Sequence, residues 1–282
     1  MVCNQKQLHW WVGLTLLSGL VMLLPWAPVW AEGNFSGCGG ATVAVSNADY
    51  EARIAELVNQ RRAEHGLPPL KLITELSNAA RYHATDMMQD DYFDHQTQDR
   101  VNGALVAVCA WSARVQGYYS NYRTLGENIA WGYDSPESVM EGWMNSDGHR
   151  ANILGNFQEL GVGYQNSYWV QDFGARTTNA PVIIQGEARQ TASPNVSVYI
   201  HGNWQQMRLR NDDDSWGEWQ TFHHDVAWTL RNVNGERHVD VEVRSGSNVV
   251  AGNDSIVLTA SATPEATPAP LTESLYLPLV QK

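Results

Sequence analysis

The 282-residue sequence predicts an α+β protein in two parts, a first domain of helices with a β-hairpin and a second domain built of short strands alone. Three observations carry this. Apolar residues recur at three- and four-residue spacing over residues 47–90 and again over 135–144, which is the period of a helix buried on one face. Strict alternation then sets in at Leu160, Val162, Tyr164 and at Trp169, Gln171, Phe173, with Asn166 and Ser167 between the two runs as a hairpin turn. After residue 181 the helical period is lost, and short alternating segments recur between turn signals at 182–184, 196–200, 206–209, 239–243 and 256–258, the pattern of an antiparallel β-sandwich.

In chain order, residues 1–31 read as a secretory signal peptide. Lys6 supplies the basic region, residues 14–24 the apolar core, and Val29, Trp30, Ala31 a cleavage site. The apolar run is too short for a stable membrane span. Residues 32–45 form a glycine-rich arm, and the first domain occupies 46–176. Its first helix presents Ile54, Leu57 and Val58 and is stopped by Gly66, Pro68 and Pro69. Arg61 and Arg62 are assigned to its solvated face beside Glu64. A second helix over 74–90 carries the stripe Leu76, Ala79, Ala80, His83, Met87, so His83 is read as a core histidine bonded to backbone. The apolar run 104–111 fits strand or helix equally, and Tyr118, Tyr119 and Tyr122 follow it as ordinary packing or as walls of a cleft. Ser135, Pro136 and Glu137 announce a helix: a serine cap, proline at the first position and an acid in the first turn each complement the free backbone N–H groups. Residues 177–181 are read as a linker, 182–260 as the β-sandwich, with Asp212, Asp213 and Asp214 in an acidic surface turn. Residues 261–282 form a Thr/Pro-rich extension ending in an apolar tail.

Charge and cysteine usage bound the function. The net charge is −12, and loss of a leader holding one lysine and no acid makes the mature chain −13. Without a basic patch, nucleic acid is excluded as an electrostatic partner. Cys3 leaves with the leader, so Cys38 and Cys109 are the one possible pair, expected to bridge outside the cell, with two free thiols as the alternative.

The most informative stretch is GENIAWGYDSPESVMEGWMNSDGHRANIL at 126–154. Glu127, between glycine and asparagine, suits a turn or helix start. His149 comes just after the helix of Val139, Met140, Trp143 and Met144. A carboxylate and an imidazole flanking one packed helix are raw material for a metal site or acid–base chemistry.

The pieces G-E-N-I-A, W-x-x-S-x-G-H-R, an upstream F-x-H at Phe93 to His95 and a downstream Y-W-V-Q-D-F-G at Tyr168 to Gly174 occur in an order that resembles the bacterial branch of the CAP superfamily, the cysteine-rich secretory, antigen 5 and pathogenesis-related 1 proteins. The resemblance implies an α-β-α sandwich whose cleft holds two histidines and two acids. Residue by residue, His95, Glu127 and His149 fill three of those positions and Ser146 stands where the family has its second acid. Glu141, two residues before Trp143, is read as a solvated glutamate and not as a substitute. Arg100 and Asn102 are candidates to orient His95. The β-rich part, from MRLRNDDDSWGEWQTF onward, resembles an immunoglobulin-like module of exported bacterial proteins.

These residues support a secreted or cell-surface binding module in which His95 and His149 hold zinc or another divalent metal. On the family resemblance, its ligand is an extracellular lipid, sterol or envelope glycan. The first alternative is a metal-assisted peptidase or cell-wall hydrolase with Glu127 as general base. A second is an adhesion or spacer protein with a vestigial cleft.

Overall fold

The computed structural model describes residues 35–259; the expected signal peptide and the C-terminal extension lie outside the described residues. In chain order the elements are α1 (Ala48–Glu64), β1 (Lys71–Leu72), α2 (Thr74–Asp90), β2 (Thr97–Val101), β3 (Ala104–Cys109), α3 (Trp111–Tyr118), β4 (Tyr122–Trp131), α4 (Pro136–Met144), α5 (Asp147–Ile153), β5 (Glu159–Gln165), β6 (Tyr168–Arg176), β7 (Val182–Ile184), β8 (Gln190–Thr191), β9 (Asn195–Ile200), β10 (Gln206–Asn211), β11 (Gln220–Thr221), β12 (Asp225–Thr229), β13 (Gly235–Ser245) and β14 (Asn248–Leu258).

The first part is a mixed four-stranded sheet, ordered β1-β5-β6-β4, with helices on both faces. On one face α1 and α4 bury Ile54, Leu57, Val58, Val139, Met140 and Trp143 against Leu160, Val162, Trp169 and Phe173. On the other, α2 lays Ala80, Ala84 and Met87 against Ile129, Tyr168 and Val170. The alternation of β5 explains how close this second layer comes. Leu160, Val162 and Tyr164 face α1, while Gly161 and Gly163 face α2, where a Cβ would lie 2.0 Å from the Leu76 carbonyl carbon and 2.2 Å from that of Ala80. Glycine is required there because helix backbone fills the space of a side chain. The helix α4 begins as its sequence announces: Ser135 accepts from Ser138 N at 3.2 Å and Ser138 returns the bond, a capping box with Pro136 at the first position.

Several expectations are corrected by tertiary contacts. Glu127 lies in the interior of β4, paired with Asp172 of β6, and not in a turn. The long ladder to β6 and burial of the strand's residues 126–130 outweigh the turn preference of the Gly-Glu-Asn sequence. The run at 104–111 resolves into strand β3, then α3 from Trp111. Arg62 is buried, donating to the carbonyl oxygens of Pro68, Ile153 and Gly155, whereas Arg61 is exposed and pairs with Glu64. Tyr119 is buried and donates to Glu159, and Tyr118 packs on the arm through Gly40 and Ala41, so neither walls a cleft. Cys38 and Cys109 form the expected disulfide, Cα to Cα 5.1 Å, tying the arm to β3.

The second part consists of two sheets, β12-β9-β7 and β11-β10-β13-β14-β8, closed over one core. Val182, Ile184, Val196, Val198 and Ile200 from the first meet Met207, Leu209, Val239, Val241, Val243 and Ile256 from the second. Residues 177–181 are not a free linker: Ala180 is buried in this core and Asn179 donates to Glu159 of β5 at 2.6 Å. Lys71 bridges to Glu187 and Asp254, Asn59 donates to the Gly186 carbonyl, and the His201 ring meets the Pro69 carbonyl at 2.7 Å.

His201 supplies a pH-dependent contact between the two parts. Burial lowers its imidazole to about 4, only partly offset by the bond to Pro69, so it is neutral in the fold. The unfolded chain, with an ordinary histidine near pH 6.5, binds more protons between the two values. Stability from this group is therefore complete above about pH 6.5 and is lost as pH falls toward 4, by up to about 3 kcal/mol. Denaturant unfolding at pH 7 and pH 4.5 should show a smaller acid loss in His201→Gln than in the wild type; identical losses would refute the assignment.

Candidate metal and ligand site

His95 stands in the loop between α2 and β2, and the sequence shapes that loop from below. Asp91 closes α2 in the left-handed region at φ 52°. His83, buried on the helix, meets the Asp94 carbonyl through Nε2 at 2.9 Å, as expected of a core histidine bonded to backbone. Burial, reinforced by the nearby Arg114 charge, lowers His83 to about 3, so it stays neutral. The next residue, His95, is 46% exposed and directs Nδ1 inward to Glu127 Oε1 at 2.8 Å.

Glu127 is held on both sides. Its second oxygen, Oε2, receives the guanidinium of Arg114, which is fully buried and also donates to Thr97 Oγ1 at 2.8 Å and to the His95 carbonyl at 3.1 Å. Arg114 on α3 thus fixes the carboxylate, the loop and β2 together. Burial opposes ionisation of Glu127, yet the charge of Arg114, aided by the hydrogen bond from His95, holds its carboxyl below the ordinary range. Beside it Asp172 is pushed well above, by burial and then by the negative charge of Glu127. The two acids, facing each other across a strand pair, are thus driven in opposite directions, Glu127 toward the ionised form and Asp172 toward the neutral one. Glu127 in turn keeps the His95 imidazole raised above its usual value, chiefly through their hydrogen bond.

His149 arrives from the opposite layer. It is the third residue of α5, not a residue after a helix, because Asp147 opens a new helix directly behind α4. A chain of side-chain amides ties that helix to β4: Asn152 donates to the Glu127 carbonyl at 3.0 Å and to Asn128 Oδ1 at 2.9 Å, and Asn128 donates to the His149 carbonyl at 3.2 Å. Partial burial, then the field of His95, lowers the His149 imidazole. Ser146 caps no backbone group with its hydroxyl, contrary to the usual role of a serine at a helix start. With His149 it lines a pocket of 330 Å³ whose other walls include Phe93, Trp131, Tyr133 and Trp143. Phe93 and Trp131 are 50% and 60% exposed, an aromatic rim on the hollow.

The structure thus couples His95 to Glu127 and places His149 with Ser146. His95, Glu127 and His149 do not bring three ligand atoms within 4.8 Å of one another. Arg100 and Asn102 stand elsewhere. Arg100 donates to the carbonyl oxygens of Asp90, Asp91 and Gly103, and Asn102 shapes the β2–β3 turn at φ 52°. Glu141 is exposed on α4, as read from the sequence. Arg114, Asn128, Asn152 and Asp172 were not singled out by sequence reasoning. The last three lie inside the motif stretches and were open to notice, whereas nothing local marks Arg114.

Residues 55–173 match the family model of the Cysteine-rich secretory protein family, CAP. Over 127 residues the chain is 42% identical to the uncharacterized protein YkwD of Bacillus subtilis (strain 168), covering 44% of this chain and 46% of that protein. It is 33% identical over 124 residues to the uncharacterized membrane protein YlbC of the same organism, covering 44% of this chain and 34% of that one. The chain therefore spans less than half the length of these relatives. Among solved structures, an extracellular protein containing a SCP domain from Bacillus anthracis str. Ames aligns at 30% identity with a TM-score of 0.41, covering 45% of this chain and 40% of that one.

Proposed function

With residues 55–173 forming a CAP domain, we propose that the protein is a secreted binding module whose cleft holds a divalent cation between His95 and His149 and presents an aromatic rim to an extracellular ligand. One observation carries the reading. Glu127 accepts the His95 Nδ1 proton while Arg114 locks the carboxylate, so the other ring nitrogen, Nε2, is left with a fixed direction. A carboxylate behind a histidine is the arrangement by which proteins orient an imidazole toward a metal. The donor set fits: two imidazoles suit zinc, and the lowered His149 is neutral at physiological pH. With Glu127 behind His95 and not beside it, two protein ligands remain, and binding is weaker than at a closed structural site. A bound zinc ion would supply Lewis acidity to a polar group of the ligand.

The rim of Phe93 and Trp131 suits a ligand with a flat apolar face, which keeps sterol, lipid and envelope glycan as the substrate class. The hydrolase alternative is disfavoured because Glu127 is buried, pinned between His95 and Arg114, and held by that arginine below the ordinary carboxyl range, which makes it a weak base toward water. The second part, as an immunoglobulin-like module, is supported by its two sheets of mainly antiparallel strands packed over one core. Within the described residues no helix is long and apolar enough to cross a membrane.

Calorimetric titration of zinc into the protein at pH 7.5 should show saturable binding that weakens at least about tenfold in His95→Ala and in His149→Ala, the scale of a lost ligand interaction. Unchanged affinity in both variants rules out the site.

A further inference from the structure

A second cluster of charge lies at the far end of α2. Asp86 and Asp90 sit one turn apart on that helix and Asp99 faces them from β2, and one oxygen of each lies within 4.8 Å of the others. Asp86 is fully buried, and its Oδ1 has no hydrogen-bond partner although Oδ2 accepts from Tyr92. Among the described residues, none of the three carboxylates is ion-paired with a lysine, arginine or histidine. The nearby Arg100 gives them only its main-chain N–H, which donates to Asp90 Oδ2 at 3.2 Å. Its guanidinium donates to main-chain carbonyls at the end of the helix. The C-terminal end of α2 adds its own negative potential to the same place. Burial, then the charges of Asp90 and Asp99, push the Asp86 carboxyl up to about 7 against the bond from Tyr92. Three acids within bonding distance of one point, one of them wholly buried and holding a donorless oxygen, are an uncompensated charge that a hard cation neutralises.

We propose that Asp86, Asp90 and Asp99 form a calcium site, separate from the His95 and His149 cleft, that ties the end of α2 to the β2–β3 hairpin. Oxygen-only ligation selects calcium over zinc, and three carboxylates leave further positions for water. Asp99 also accepts from Gly37 N at 3.0 Å, one residue before the disulfide at Cys38, so the cation would firm up the arm as well as the hairpin. Dissociation constants of about 10⁻⁴ to 10⁻³ M, those of extracellular modules, match a half-exposed site of this kind.

The test uses terbium, a luminescent substitute for calcium that the adjacent Tyr92 can sensitise, on the His95→Ala protein so that the cleft does not contribute. Saturable luminescence displaced by calcium is expected, with affinity at least about tenfold weaker in Asp86→Asn and Asp99→Asn. Both substitutions keep an oxygen for Tyr92 or Gly37, and circular dichroism verifies the fold. Calcium at constant ionic strength should raise the melting temperature of the parent and not of Asp86→Asn. A missing luminescence signal, no displacement by calcium, or equal affinity in folded variants overturns the proposal.

Discussion

Arg114→Ala should lose about 3–5 kcal/mol of stability and release His95 from its fixed direction, the largest effect expected of any single change in the site. Arg114 is fully buried and its guanidinium serves Glu127, Thr97 and the His95 carbonyl at once. Truncation leaves Glu127 with no cation at full burial, a state that costs far more than the pair gains when intact. The Glu127 carboxyl then shifts upward, since burial remains and the charge that held it low is gone. His95, raised chiefly by its bond to an ionised Glu127, falls back toward an ordinary histidine. Urea unfolding measures the first consequence and a proton NMR titration of His95 the second. Stability within about 0.5 kcal/mol of the parent, the range of neutral surface changes, would show that Arg114 is not the clamp.

The second large effect is expected between the two parts of the chain. Lys71→Ala leaves Glu187 and Asp254 facing each other, both about nine-tenths buried, and is expected to cost about 3–5 kcal/mol, as removal of one partner from a buried pair does. The sign of the pH dependence is determined. Glu187 is already raised to about 8, by burial and then by Asp254, while Lys71 opposes. A raised acid contributes stability that is complete below its unfolded value near 4.5 and is lost as pH rises toward 8. Without Lys71 the rise is larger, so the deficit of the variant should grow as pH rises from about 7 to 9, through the value near 8 at which the parent's Glu187 ionises. Denaturant unfolding across that range reads it. A deficit that shrinks with pH would mean that Lys71 is not the counter-ion.

Much of this was written locally. The caps at Asn47 and Ser135, the stripe of α2 and the Asn166–Ser167 hairpin rest on contacts a few residues apart, and helix α2 begins and ends where its stripe does. The candidate site residues were named as a set through the resemblance of their motifs, and in the structure the ring of His95 meets Glu127. Their surroundings were less legible. Glu127 was misplaced in a turn because glycine and asparagine dominate a local reading, and Arg62 was misplaced on the surface because an arginine reads as solvated until three carbonyl oxygens converge on it. In the second part, β8 and β11 escaped notice as two-residue strands, and β12 as an edge strand whose alternating Val226 and Trp228 are only partly buried.

By itself the sequence determined the helices, the hairpin, the run of short strands and the short roll of polar residues from which the site is built, because period, capping and turn chemistry act within one or two turns of chain. The tertiary structure alone decided which of those polar residues share charge: that Glu127 is clamped by Arg114, that Asp172 is buried against it with its carboxyl pushed up, and that Asp86, Asp90 and Asp99 crowd together without an ion-pair partner. Electrostatic coupling falls with distance through space and grows with burial, and neither quantity is set by position along the chain.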